Sequence, residues 1–194
     1  MSNRRTIMKQ FSAIFCLCVV FVFGALTIDA LAQEEEVFTC NALAAAAPGS
    51  PATTRLTITI KEYTSDEDRV KYLELLKTDG QAGVRKALEK IEVGWLVPRG
   101  QLREPLNYAR SIKVEGGRII NIVKTRYLRF LEFALGTPRS RDYDITFIQL
   151  KIDENGEGEG FMFAGTRLFI NDENQLVLEQ RGTIPIKLSS VKLK

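Results

Sequence analysis

The chain has 194 residues, 27 Lys and Arg against 24 Asp and Glu, 45% hydrophobic residues and no histidine. The missing imidazole excludes Ser-His-Asp and Cys-His catalysis, histidine-ligated zinc or copper, and histidine acid–base work. The near-balanced charge lacks the basic excess of a nucleic-acid binder, so no nucleic-acid partner is expected.

Residues 1–32 read as a secretory signal. Arg4, Arg5 and Lys9 precede the apolar run FSAIFCLCVVFVFGALTI, and Ala30-Leu31-Ala32 forms an A-x-A cleavage site before Gln33. The competing reading is a retained anchor, because residues 11–28 approach the roughly 20 needed to span a bilayer. A lipid anchor at Cys40 is disfavoured, since Val37-Phe38-Thr39 lacks a small residue before the cysteine. An exported protein, periplasmic or secreted, is expected, with no transmembrane segment once the signal is cleaved.

Without that segment the chain keeps 24 basic and 23 acidic residues and a single thiol, Cys40. No intramolecular disulfide can form, so stability must come from packing. Cys40 is either a small apolar strand residue or a partner-linked, reactive one.

Residues 33–54 suggest an N-terminal strand, 37–43, and a flexible loop, AAAAPGSPATT; residues 55–194 suggest one β-rich globular domain. In residues 55–63, RLTITIKEY, Leu56, Ile58 and Ile60 alternate with polar residues, as in a strand with one buried face. Thr64-Ser65-Asp66-Glu67 has the form of a capping box and predicts a helix over 65–78 with Val70, Leu73 and Leu76 inward and Gly80 as its stop. A second helix over 81–90 places Val84, Ala87, Leu88 and Ile91 on one face.

From Val93 the period is mostly two. Strands over 106–114 and 118–125 flank Gly116-Gly117, and strands over 143–153 and 157–170 flank Asn155-Gly156. Strands over 176–182 and 184–193 follow, with Pro185 marking an edge or a strand start. Residues 126–135, RYLRFLEFAL, fit a helical turn almost as well as a strand. The expected fold class is α+β, predominantly β: a curved antiparallel sheet or partly closed β-barrel of seven to eight strands, with two short helices inserted after an early strand.

The succession TRLTITIKEYTSDEDR, LNYARSIKVEGGRIINIVKTR and PRSRDYDITFIQLKIDENGEGEG resembles a family of uncharacterised exported bacterial proteins from Acidobacteria-like genomes. The resemblance implies export and these domain limits, and it supplies no activity and no site residues. The element order is also similar to that of helix-grip lipid-binding folds, although their long C-terminal helix is absent.

No G-x-S-x-G, P-loop or dinucleotide fingerprint occurs, and no cofactor is expected. Carboxylate chemistry would draw on Asp142, Asp144, Glu132 or Glu159, and a Ser/Lys hydrolase on Ser189 or Ser190 with Lys192. Arg139 and Arg141, one residue apart, could converge on a carboxylate or phosphate or tie down their own loop. Trp95, the single tryptophan, reads as core or as a ligand platform, and Tyr127 and Phe130 as an aromatic binding segment.

The stretch IDENGEGEG, 152–160, is either a hairpin tip or a weak calcium loop built on Asp153, Asn155 and Glu157; Glu157 fifth, Gly158 sixth and Ala164 twelfth fit the EF-hand pattern only in part, and the flanking strands favour the hairpin.

Three functions follow in order: a non-enzymatic module binding an apolar or lipid-like small molecule, suggested by residues 127–133 and by Phe161-Met162-Phe163; an interaction or structural domain of the cell envelope, meeting a protein or anionic surface through strand edges or the basic stretch 118–141; and a carboxylate-based hydrolase. Oligomeric state is not encoded in any of these features.

Overall fold

A computed structural model describes residues 34–44, 52–126, 128, 142–180 and 185–194. Residues Gln33–Lys194 form one compact unit. Its elements are β1 (Glu36–Ala44), β2 (Ala52–Ile60), α1 (Asp66–Thr78), α2 (Gly80–Leu88), β3 (Gly94–Pro98), β4 (Glu104–Leu106), β5 (Tyr108–Val114), β6 (Gly117–Lys124), β7 (Ile145–Asp153), β8 (Glu157–Ile170), β9 (Leu176–Gln180) and β10 (Ile186–Leu193). The fold is α+β and predominantly β, as expected. Among the described residues the strands number ten rather than seven or eight, because 94–98 forms β3 and the chain before Tyr108 pairs separately as β4.

All pairings are antiparallel, in the order β4-β3-β2-β1-β10-β8-β7-β6-β5, with β9 added to β8. The two ends of this order, β4 and β5, are separated in the chain by Asn107 alone. Its N–H donates to the Val123 carbonyl (3.0 Å). Its Nδ2 donates to the Ile91 carbonyl (2.8 Å), and its Oδ1 accepts from the Thr125 N–H (2.9 Å). One buried amide thus fastens β4–β5 to β6 and to the end of the helical insertion, and the sheet curls into a nearly closed barrel.

Alternation decides what fills that barrel. Phe38, Cys40, Leu56, Ile58, Leu96, Ile120, Ile122, Ile148, Leu150, Met162 and Leu188 all turn inward and form one buried cluster. A barrel of about eight strands has an interior that side chains can fill, and these large residues do so. Phe161 and Phe163 lie on the opposite side of β8 from Met162, half-buried, their rings 4.9 Å apart. Only the middle residue of the Phe-Met-Phe run therefore faces the lumen.

The helices pack outside the barrel: Tyr72, Leu76, Val84 and Leu88 meet Val123, Ile145 and Leu168 in a second cluster. α1 starts one residue later than the capping-box pattern places it, with Ser65 as N-cap accepting from the Asp68 N–H (3.1 Å). Its buried face is corrected too. Tyr72, edge-on to Tyr108 at 6.4 Å, is buried in place of Val70, which is 51% exposed. A large ring with a partner on β5 outweighs the isopropyl group.

The β5–β6 turn also differs by one residue: Val114 pairs with Gly117, so Glu115 and Gly116 form the loop, with Gly116 at φ 72°. Pro185 precedes β10, which lies between β1 and β8 rather than at an edge. Residues 152–160 do form the β7–β8 hairpin tip. Within it Gly158 lets two backbones meet, since a Cβ there would lie 1.9 Å from the Lys151 carbonyl oxygen.

Cys40 faces the lumen, and burial pushes its thiol up to about 12. The thiolate is the reactive species, so a thiol dye is expected to label the native protein on the order of 100-fold more slowly than the urea-unfolded chain, as labelling waits on opening. Equal rates in the two states would show that β1 is not held in the sheet.

Candidate interaction face

The outer surface of β1–β4 is built by pairing. Directly opposed residues share a face, giving the row Thr39, Thr57, Val97 and the row Val37, Thr59, Trp95, Pro105. Asn41 stands opposite Arg55, and the Arg99 N–H donates to the Arg55 carbonyl (2.8 Å). Lys61 follows β2 with its Nζ 4.8 Å from the Trp95 ring centre, and the Arg103 guanidinium lies 5.4 Å from the same ring.

Trp95 is thus neither lumen core nor a bare platform. It is half-buried on the outer face, where it adjoins the buried Thr59 and carries two cations. A cation near the face of an indole gains about 0.5–1 kcal/mol at exposed sites. Sequence alternation could have signalled the orientation, because Leu96, not Trp95, continues the inward series.

No acid of these strands points outward on this face. The four strands contain only two acids, Glu36 and Glu104, and both turn inward with Phe38 and Leu96. Arg55, Arg99 and Arg103 are exposed and make no ion pair among the described residues. Lys61 meets Glu92 at 3.7 Å, at the end of β3 away from the turn. That turn, between β3 and β4, is closed by Gln101 N–H donating to the Pro98 carbonyl (3.0 Å) and presents Leu102, 80% exposed.

The inward acids have fixed roles. Glu36 accepts from the Tyr63 hydroxyl (2.6 Å) and from Arg118 Nη1 (2.8 Å), closing one mouth of the barrel. Burial first, then the hydrogen bond to Glu36, raises the Tyr63 phenol above its ordinary range. Beside it lies an open surface depression of about 450 Å³ lined by Lys113, Val114, Arg118, Asp153, Glu154 and Leu193 among others, a mixed-charge surface. At the other end, Glu104 and Lys124 form a buried pair at 3.2 Å.

The remaining candidates distribute as follows. Asp153 Oδ1 accepts the N–H groups of Asn155 and Glu157 (both 2.9 Å), and Glu157 pairs with Lys192 at 2.8 Å. Among the described residues no group of three or more Cys, Asp or Glu is placed to hold a metal ion.

Asp144 accepts from Gln81 Nε2 (2.9 Å) and meets Arg85 (3.3 Å). Its carboxyl is raised by desolvation, which Arg85 partly opposes. Glu159 meets Lys187 at 3.6 Å. Ser189 Oγ donates to the Asn41 carbonyl at 3.5 Å, and the nearby Lys192 is engaged by Glu157. Tyr127, Phe130, Glu132, Arg139 and Arg141 lie outside the described residues.

No described helix is long and apolar enough to cross a membrane. No protein-family model matches the chain, and no curated protein or solved structure shows significant similarity to it.

Proposed function

We propose that this is an exported, non-enzymatic interaction domain that meets an acidic partner or anionic surface of the cell envelope through the outer face of β1–β4. The observation that favours this over an apolar ligand in the lumen is a division of labour. The inward positions are occupied by large buried side chains, whereas the outer face of β1–β4, against which neither described helix packs, carries Arg55, Arg99, Arg103 and Lys61 around Trp95 with no outward strand carboxylate.

A local excess of one charge on a surface raises association with opposite charge and is sensitive to salt. The variant Arg55→Glu/Arg99→Glu/Arg103→Glu is expected to lose more than about tenfold in retention on immobilised envelope extract at low salt, while its stability falls by no more than about 1 kcal/mol, because all three side chains are exposed and only the contact of Arg103 with Trp95 is lost. Retention equal to that of the unaltered protein would remove this reading.

A further inference from the structure

We infer that the β3–β4 turn docks the protein on an anionic bilayer surface, with Leu102 entering the interfacial region and Arg55, Arg99 and Arg103 on the headgroups. The inference rests on the outer-face reading above and names its partner. Three observations converge. Leu102 is the most exposed large apolar residue described, at 80%, and its turn is closed by the Pro98–Gln101 hydrogen bond, so the side chain stands out from a defined backbone.

Arginines flank it in sequence at 99 and 103 and in space at 55, with no carboxylate paired to any of them among the described residues. Trp95, half-buried beside Arg103, is the residue type that settles at the headgroup level. A soluble polyanion would use the arginines and has no need of an exposed leucine at the tip. A bilayer uses both, through apolar insertion and attraction of basic residues to anionic headgroups.

Because Trp95 is the only tryptophan, its fluorescence reports this face alone. Purified protein is mixed with equimolar phosphatidylglycerol/phosphatidylcholine vesicles, with phosphatidylcholine vesicles, and with heparin resin as a soluble-polyanion control. Expected are co-sedimentation with the anionic vesicles only, release by salt, and quenching of Trp95 by lipids brominated near the headgroup.

Leu102→Ser, at a position with no packing to lose, is expected to weaken vesicle partitioning roughly tenfold while leaving heparin retention and the unfolding midpoint unchanged. Vesicle binding insensitive to Leu102→Ser, or absence of Trp95 quenching, would overturn the inference. If heparin and envelope extract still discriminate the arginine variant in that case, the face serves a soluble polyanion or acidic protein and the broader reading stands. If they do not, both fall.

Discussion

Replacing Lys124 by methionine is expected to lower the stability of the domain by about 3–5 kcal/mol, the usual cost of removing one member of a buried ion pair. Lys124 and Glu104 are 3.2 Å apart, with side chains 3% and 11% exposed. They continue the inward series of Ile120 and Ile122 on β6 and of Leu106 on β4, so the pair sits in the barrel end where β4 passes from β3 to β6.

Thr146, opposite Lys124 on β7, is fully buried and donates to the Arg126 carbonyl (3.2 Å), and Leu128 nearby is fully buried as well. Water therefore cannot readily solvate a Glu104 carboxylate deprived of its ammonium. The attraction within the pair offsets a desolvation cost already incurred, so the double variant Lys124→Met/Glu104→Leu, of similar volume, is expected to recover most of the loss. Urea unfolding monitored by Trp95 emission gives both numbers, and the slope of the transition shows whether the barrel still unfolds as a unit. A single variant within about 0.5 kcal/mol of the unaltered protein would mean that this end of the barrel is wet.

The same pair marks how far the sequence could be read. Strands β1, β2, β7 and β8 and both helices were visible because apolar residues recur with period two or near 3.6 over long enough runs. Glu104-Pro105-Leu106 offers three residues and a proline, too short a signal for a strand, although its carboxylate is one of only two on β1–β4.

The outer face was illegible for a different reason. Arg55, Trp95, Arg99 and Arg103 are spread over three elements, and only the β2–β3 and β3–β4 registers bring them together. Charge counted along the chain pointed instead to residues 118–141. Val70 and Tyr72 illustrate a third limit: either could complete the α1 face, and the position of Tyr108 on β5 decided between them.

A loss of equal size, about 3–5 kcal/mol, is expected on replacing Phe38 by alanine, and this variant also tests what the lumen is for. Phe38 is fully buried at the start of β1, between Ile58 on β2 and Leu193 on β10 in the register, with the Arg118 guanidinium 5.8 Å from its ring. Its ring is a large part of the filling at the mouth that Glu36, Tyr63 and Arg118 close. Close-packed interiors relax only in part around a deleted ring, leaving an apolar cavity that stays dry and accepts small apolar molecules.

Benzene or a similar probe is therefore expected to raise the midpoint of Phe38→Ala unfolding, by the linkage of binding to the native state, and to leave the unaltered protein where it was. Phe38→Leu, which retains most of the volume, is expected to give a smaller loss and a correspondingly weaker response to the probe, and it carries the same test should Phe38→Ala be unfolded at room temperature. Stabilisation of the unaltered protein by the same probe would show accommodating space in the lumen and return the apolar small-molecule reading to first place.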